Sequence, residues 1–585
     1  MKYKGRTVFA SVVIVTVFIG LGIRLAFLHL RPSPGTMARI ANARRLEQET
    51  RGPRGRILDR NGNMLAVDIA AKHICVDPKF IKENGDISAV YKALAGQFPM
   101  DRANLWQVLN DSERQYVRIQ KFVREETVGP LRAKNLKGVV FEDVPIRDYP
   151  KGVLGAHVIG YANYEGVGSA GVEQRMNTLM QGVPGLRISQ KDGRRREIYG
   201  RRTVDIEAQS GADVYLTIDQ QIQHFAEKAL DHLSEKYHPK AAWAIVQNVR
   251  TGEILAMASL PTYNPNRFST APPEWMRNRT VNYTYEPGST FKAMVIAAAL
   301  DCGVVRATEL FDCENGAWFF AGKILHDSHP EGVLSVADII KKSSNIGAAK
   351  IAVKMGDQKV YEALRAFGFG DRTGLELPGE DAGIVWKTDR WSKLSISRIA
   401  MGHEVLVTSM QILNAISAIA NDGVRMRPQI IRKVVNTAGE MLQAPQPQVM
   451  NRPIRPETAK EMRRLLARVT QPGGTGTKAV VPGFMVAGKT GTAQKVNLEQ
   501  GGYYSGKYIS SFVGFLPVEN PAISIIVVAD EPTQSGYYGG TVCAPYFAEI
   551  ANQTVRYLRI PPEGVTTEYV TEITSGGASE ENILD

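Results

Sequence analysis

Ser289 and Lys292 stand three residues apart in Tyr285-Glu286-Pro287-Gly288-Ser289-Thr290-Phe291-Lys292. On a helix that spacing puts both side chains on one face, within reach of each other. A serine hydroxyl is a weak nucleophile and needs a base at hand. A lysine serves as that base once burial or a second cation lowers its pKa and leaves it neutral. A bland reading competes, in which both residues face solvent from a core helix. S-x-x-K arises by chance in a chain of 585 residues, although this is its only copy here.

Two further short motifs bring hydroxyls and cations. Lys341-Lys342-Ser343-Ser344-Asn345-Ile346-Gly347 offers a hydroxyl and an amide two apart, at or near a helix start. Taken alone, Ser343 or Ser344 is simply an N-cap. Ala487-Gly488-Lys489-Thr490-Gly491-Thr492-Ala493 places a cation and hydroxyls at the end of a short strand. Glycine there lets another backbone approach. Such an edge strand can bind an extended peptide, with Lys489 attracting a carboxylate. A phosphate-binding motif overlaps it, since 483–490 fits G-x-x-x-x-G-K-[ST]. That loop needs a flexible interior and a following helix. Phe484-Met485-Val486-Ala487 is strand material, and Gly491 stands where the helix should begin. His326-Asp327-Ser328-His329 resembles a metal pair. No carboxylate or cysteine sits at ligand spacing, so a solvated loop without metal is expected.

These residues need elements to hold them. Pro287-Gly288 is a turn signal, and 293–300 is apolar with no breaker before Gly303, which predicts a buried helix with Ser289 in its first turn. Negative charge developing at Ser289 would then be favoured by the helix N-terminus. Upstream, 213–219 leads to a helix over 220–237, and 241–249 and 253–259 read as a hairpin. Residues 300–475 are mostly helix and loop. Strand pattern returns at 484–487, 510–516 and 522–529, and a closing helix covers 545–558. Two strands, a long helical excursion and three more strands predict one antiparallel sheet with a helical subdomain inserted between its halves.

The remaining chain supports a different setting. Lys2, Lys4 and Arg6 precede an uncharged run over 7–23, then Arg24 and Leu25-Ala26-Phe27-Leu28. This is long enough to span a bilayer. No small-x-small cleavage site follows it, which favours an uncleaved anchor over a signal peptide. Five arginines after the span leave its orientation open on charge alone. Residues 31–50 are basic and helix-prone, as in a stalk. Arg51-Gly52-Pro53-Arg54-Gly55-Arg56 and Asn61-Gly62 open a turn-rich β region. Residues 63–210 mix short strands with polar helices and carry no chemical constellation; Gly155-Ala156-His157 and Gly171-Val172-Glu173 read as structural. The net charge of +12 suits a membrane surface, a wall polymer or a nucleic acid, the last being weakest for want of any binding motif. Cys75, Cys302, Cys313 and Cys543 form no C-x-x-C pair. Unpaired buried thiols are the default, with Cys302–Cys313 the pairing to consider in an oxidising compartment. The last residues, rich in Ser, Gly, Glu and Thr, read as disordered.

S-x-x-K at Ser289, S-x-N at Ser343 and K-T-G at Lys489, in that order, form the signature set of penicillin-interacting serine enzymes. With the anchor, the 51–62 opening, Gly171-Val172-Glu173 and Leu216-Thr217-Ile218-Asp219, the chain resembles the class B penicillin-binding proteins. Tyr285-Glu286-Pro287-Gly288-Ser289-Thr290-Phe291-Lys292 and the short link from His157 to Gly171 are similar to the division-specific, FtsI-type branch. Gly402-His403-Glu404 departs from that pattern and receives no role. The resemblance implies an α+β fold: a serine β-lactamase/transpeptidase-like antiparallel sheet with flanking helices, an inserted helical subdomain, an elongated N-terminal α+β pedestal and one transmembrane helix. It implies a stub and anchor over 1–30, the pedestal over 31–210, the penicillin-binding domain over 211–560 and a tail over 561–585. It implies a D,D-transpeptidase of peptidoglycan stem peptides ending in D-Ala-D-Ala, open to β-lactams and needing no cofactor or metal. Ser289 is then the nucleophile and Lys292 its base. Ser343 relays a proton, Asn345 holds a substrate amide, Lys489 biases the electrostatics, and Thr490 and Gly491 bind the terminal carboxylate end. Backbone N–H groups of Ser289 and Thr492 form the oxyanion hole. The family further implies a single-pass protein of the bacterial cytoplasmic membrane with the enzyme outside, working with a multi-spanning membrane glycosyltransferase and other division proteins. An elongation-specific enzyme, a carboxypeptidase or β-lactamase of the same fold, and a penicillin sensor share these motifs.

Overall fold

The structure is a computed structural model that describes residues 2–30, 33–111, 113–191, 197–497 and 501–563. Most of the expected tail, 564–585, lies outside the described residues. The chain forms two compact units, one of residues 1–53 with 182–211 and one of residues 54–181 with 212–585.

In the first unit, Lys2–Leu30 is one helix. Its stretch Lys4–Leu30 runs 27 residues and holds a segment of 18 residues at mean hydropathy 2.4, none of that segment buried in protein. At about 1.5 Å per residue the whole stretch exceeds the roughly 30 Å of a bilayer core. A second helix, Pro34–Arg44, follows, but the helix-prone reading of 31–50 fails at its end. Arg45–Thr50 is a strand, antiparallel to Gly185–Lys191, which also pairs with Val204–Ile206 and Glu197–Ile198. Sheet pairing overrides local helix propensity there.

In the second unit, the N-terminal half builds its own small core from Ile74, Ile81, Leu94, Leu105, Val128 and Leu131. Its helices start where the sequence supplies caps: Asp77, Asp86 and Asp101 each accept from the following backbone N–H groups. One mixed sheet joins this half to the rest, because Ile57–Leu58 pairs in parallel with Val214 and Tyr215. Glu173 in Gly171-Val172-Glu173 is fully buried. Its carboxylate accepts from Arg54 Nε at 2.6 Å and Arg147 Nε at 2.7 Å. Arg147 also donates to Asp68 at 3.0 Å, and Arg54 to Asn177 at 2.8 Å. That segment is structural, as expected, through its acid and also through Gly171, where a Cβ would lie 2.5 Å from Val158 O.

The C-terminal half follows the expected sheet. Helix α1, Gln220–Tyr237, leads to β1, Ala241–Asn248, and β2, Ile254–Leu260. Helix α2, Lys292–Asp301, opens the helical excursion, which includes α3, Val336–Lys342, α4, Asn345–Met355, and α5, Ser409–Ala420. Strands β3, Ala487–Val496, β4, Tyr503–Leu516, and β5, Ile523–Asp530, return to the sheet, and α6, Ala544–Tyr557, closes it. The strand order is β2-β1-β5-β4-β3, antiparallel throughout. Ala241, Trp243 and Ile245 pack into the core shared with α2 and α5. Ala242, Ala244 and Val246 pack into the opposite core with α1 and α6. A sheet covered on both faces explains the continuous apolar runs of β1 and β5. Strand β3 is the edge. The 483–490 segment, which matches a phosphate-loop pattern, is a tight turn bridging Val481 and Phe484 and leading into β3, as its strand-like residues imply.

The four cysteines are unpaired. Cys75, Cys313 and Cys543 are buried, while Cys302 is exposed and so departs from the expected buried thiol.

Candidate active site

Ser289 lies in a short 3-10 turn, Gly288–Phe291, that runs directly into α2, so the nucleophile precedes the α-helix proper instead of standing in its first turn. The turn is fixed from two sides. Thr290 Oγ1 donates to Pro287 O at 2.9 Å. Gly402 O accepts from Gly288 N at 3.2 Å, and Tyr285 and Val407 exchange two backbone bonds of 3.0 Å. A Cβ on Gly402 would lie 2.2 Å from Gly288 O, at a φ of +79°. Only glycine permits that approach.

Lys292 is fully buried one turn on. Its Nζ donates to Ser343 O at 2.6 Å, to Asn345 Oδ1 at 2.7 Å and to Ser343 Oγ at 3.4 Å. The S-x-N motif reaches it through a break between two helices. Ser343 ends α3 in the left-handed region, φ 62°. Ser344 is the N-cap of α4, accepting from Gly347 N at 2.9 Å. The cap reading therefore belongs to Ser344, and Ser343 is released toward the lysines. Lys489, also fully buried, donates to Ser343 Oγ at 2.8 Å from β3. Along the same strand Thr490 Oγ1 lies 2.8 Å from Thr475 Oγ1, and Thr492 Oγ1 accepts from Gly539 N at 3.0 Å. A Cβ on Gly491 would lie 2.3 Å from Ser511 Oγ and 2.9 Å from the Thr290 methyl, so glycine lets β3 close against the serine turn. Ser289, Ser343, Asn345, Thr490, Thr492 and His403 line one cleft of about 640 Å³.

Burial lowers the Lys292 pKa to about 7, with Asp327 opposing. Lys489 falls well below the usual lysine value, first through burial and then through the charge of Lys292. Burial thus disfavours the charged form of both amines, and for Lys489 the neighbouring Lys292 adds to it. This differs from the expected division of labour. Burial, not the Lys489 charge, is what lowers Lys292, and the same burial pushes Lys489 well below the usual lysine value.

The loop at 326–329 is not merely solvated. Asp327 accepts from Ser344 Oγ at 2.7 Å, from Ile346 N at 3.1 Å and from Asn345 N. His326 O accepts from Asn345 Nδ2 at 2.8 Å. An acid at the start of α4 complements its dipole and fixes the Asn345 amide. Gly402-His403-Glu404, left without a role by sequence, also belongs here. The Glu286 carboxylate, three residues before Ser289, accepts from His403 Nδ1 at 2.7 Å and from Glu404 N at 2.8 Å. No sequence signal marks this pair, which lies more than a hundred residues from the carboxylate it meets.

Comparison with known proteins bears on this geometry. Residues 242–552 match the model of the penicillin binding protein transpeptidase domain, and residues 49–216 match the penicillin-binding protein dimerisation domain. The chain is 33% identical over 553 residues to the peptidoglycan D,D-transpeptidase FtsI of Escherichia coli K12, covering 93% of this chain and 90% of that one. It is 32% identical over 563 residues to the probable peptidoglycan D,D-transpeptidase PenA of Neisseria meningitidis, covering 96% and 94%. Stage V sporulation protein D of Bacillus subtilis is 30% identical over 571 residues, covering 96% and 86%. Among solved structures, penicillin binding protein 3 of Mycobacterium tuberculosis complexed with aztreonam superposes with a TM-score of 0.69 at 28% identity, over 88% of this chain and 98% of that one.

Proposed function

The chain belongs to the class B penicillin-binding proteins, and from that premise we propose how its own residues cross-link peptidoglycan. It is a peptidoglycan D,D-transpeptidase with a septal role like that of its FtsI relatives, acting on stem peptides and bound by β-lactams. Ser289 Oγ attacks the carbonyl carbon of the penultimate D-Ala, and neutral Lys292 takes the hydroxyl proton. Backbone N–H groups of Ser289 and Thr492 receive the developing oxyanion. The C–N bond to the last D-Ala breaks, and its nitrogen takes a proton relayed by Ser343 between Lys292 and Lys489. Asn345 holds a substrate amide, and Thr490 with Gly491 holds the terminal carboxylate at the sheet edge. An amine of a second stem then displaces Ser289 from the acyl-enzyme.

The observation that carries this reading is the buried Lys292 amine, held 2.6–2.7 Å from Ser343 O and Asn345 Oδ1 with its pKa near 7. A lysine in that state is a competent base at neutral pH. Its test is a fluorescent penicillin, whose strained lactam acylates serine and leaves no group to depart. We expect one adduct on Ser289 and no labelling of Ser289→Ala; an adduct mapped elsewhere overturns the assignment.

We further read residues 31–210 as a pedestal and 211–560 as the enzyme. The N-terminal helix is a single-pass anchor. We place its N-terminus in the cytoplasm and the enzyme outside, where the wall polymer lies. A separate multi-spanning glycosyltransferase would supply the glycan strands.

A further inference from the structure

A second pocket of about 350 Å³ adjoins the catalytic cleft. Met401 and His403 line both, so these two side chains form the ridge between them. Its walls are Phe320, Ile324 and Leu325 of the hairpin Ala317–Phe320 and Lys323–His326, with Leu394 and Tyr503 opposite. The acyl transfer derived above uses none of these.

His403 is held unusually well for a residue on that ridge. Glu286, only 7% exposed on its side chain, receives Nδ1 at 2.7 Å, while the His403 side chain is 26% exposed. The Tyr503 hydroxyl lies 3.3 Å from the same nitrogen, with the two rings edge to face. A carboxylate on Nδ1 fixes the tautomer, leaving Nε2 as the nitrogen able to accept a proton. No hydrogen bond reaches Nε2 among the described residues. The carboxylate is three residues from Ser289, and the backbone of Gly402 is bonded to that of Gly288, so the imidazole is registered to the nucleophile. The charged groups facing it are Glu286, Glu404 and Arg398, the last two paired at 2.7 Å, with Lys323 farther out on the pocket wall.

We propose that this second pocket receives the acceptor strand, a peptide bearing a protonated primary amine on an aliphatic arm, and that His403 removes the proton from that amine. The inference rests on the acyl-enzyme reading above. Acylation and transfer pose different proton problems. The serine starts with one proton, which Lys292 handles. The acceptor starts as an ammonium, which is no nucleophile until a proton leaves. Its apolar arm suits walls of Phe, Ile and Leu while the charged head reaches the acid-backed ridge. Lys323 offers a partner to a carboxylate of the same peptide. The balance closes. Of three ammonium protons, His403 Nε2 takes one and releases it to water, and the amine then bonds to the ester carbonyl carbon. As the carbonyl–Ser289 Oγ bond breaks, a second proton passes by way of Lys292 to that oxygen. The third stays on the new amide. Glu286 is a positioning residue that holds the ring.

The test uses the full chain and separates the two half-reactions. Acylation by fluorescent penicillin reports on Ser289 and Lys292 alone; if the unmodified protein is not acylated, the acyl-enzyme reading fails and not this one. Turnover of an N-acyl-D-alanyl thioester is then divided between hydrolysis and transfer to two amines. One is a peptide with a lysine side-chain ammonium, the other hydroxylamine, already a free amine at neutral pH. For His403→Gln we expect transfer to the lysyl peptide, relative to hydrolysis, to fall about a hundredfold. Transfer to hydroxylamine, measured relative to hydrolysis in the same variant, should change by less than about threefold. Unchanged transfer to the lysyl peptide overturns the proposal. So does equal loss with both amines, which would mean a structural role. Ile324→Lys, at an exposed wall position, keeps the pocket testable apart from the ridge. It should raise KM for the lysyl peptide with kcat held and hydroxylamine unaffected; an unchanged KM overturns the pocket assignment.

Discussion

Lys292 decides the chemistry at the scale of a single residue. Its amine sits buried between Ser343 and Asn345, and burial brings its pKa to about 7. Penicillin acylation should therefore rise with pH across that value, with slope one on a logarithmic plot below it and a plateau above. The sign follows from the base: each lysine that loses its proton becomes able to accept the one on Ser289. Lys292→Arg should abolish acylation over the whole range, because a guanidinium stays protonated. A folded Lys292→Arg that acylates at a near-normal rate would place the base elsewhere. Lys489→Arg differs. Lys489 is equally buried and burial pushes its pKa well below the usual lysine value, so arginine forces a permanent charge into a site that disfavours one. The residual acylation of that variant should show its pH limb displaced downward, since a fixed cation beside Lys292 disfavours its protonated form.

Elements determine whether those residues meet. The serine turn and the 402–407 segment touch through Gly402, where no Cβ fits. Gly402→Ala should lower acylation by about tenfold or more and cost about 1–3 kcal/mol in denaturant unfolding. An unaffected variant would show that the turn is held by β3 alone. In the pedestal half, Glu173 holds two buried guanidinium groups. Glu173→Ala leaves Arg54 with no carboxylate and Arg147 with Asp68 alone, and should cost about 3–5 kcal/mol; a loss under about 1 kcal/mol would mean that Asp68 and Asn177 suffice. Much of this architecture was legible beforehand, and unevenly. Helix α1 was readable to the residue because Asp219 caps it and its apolar face repeats at helical spacing. Strand β3 was misplaced toward 484–487 because apolar content drew attention to a turn, whereas the strand itself carries Lys, Thr and Gly for the cleft. The three motifs revealed the nucleophile's neighbours because their order is rare. Asp327, Glu286 and His403 stayed hidden, since each acts across a long sequence separation and follows no periodicity.

For the molecule as a whole, the apolar N-terminal helix supplies location and not chemistry. All the site residues fall within residues 54–181 and 212–585, and the helix belongs to the other unit. A chain beginning near residue 36 should be soluble and label with fluorescent penicillin at the full-length rate. A folded truncation that labels poorly would show that the N-terminal segment shapes the site. The same helix bears on how affinity was selected. A tethered enzyme meets a wall polymer that is itself held nearby, so encounter depends on effective concentration rather than on free diffusion. Tight ground-state binding of a stem peptide would then add little wherever confinement keeps the local stem concentration above KM. Free pentapeptide in dilute solution should appear as a poor substrate with a high apparent KM. That weakness is a property of the assay's three dimensions, and the helix at residues 4–30 is what removes one of them.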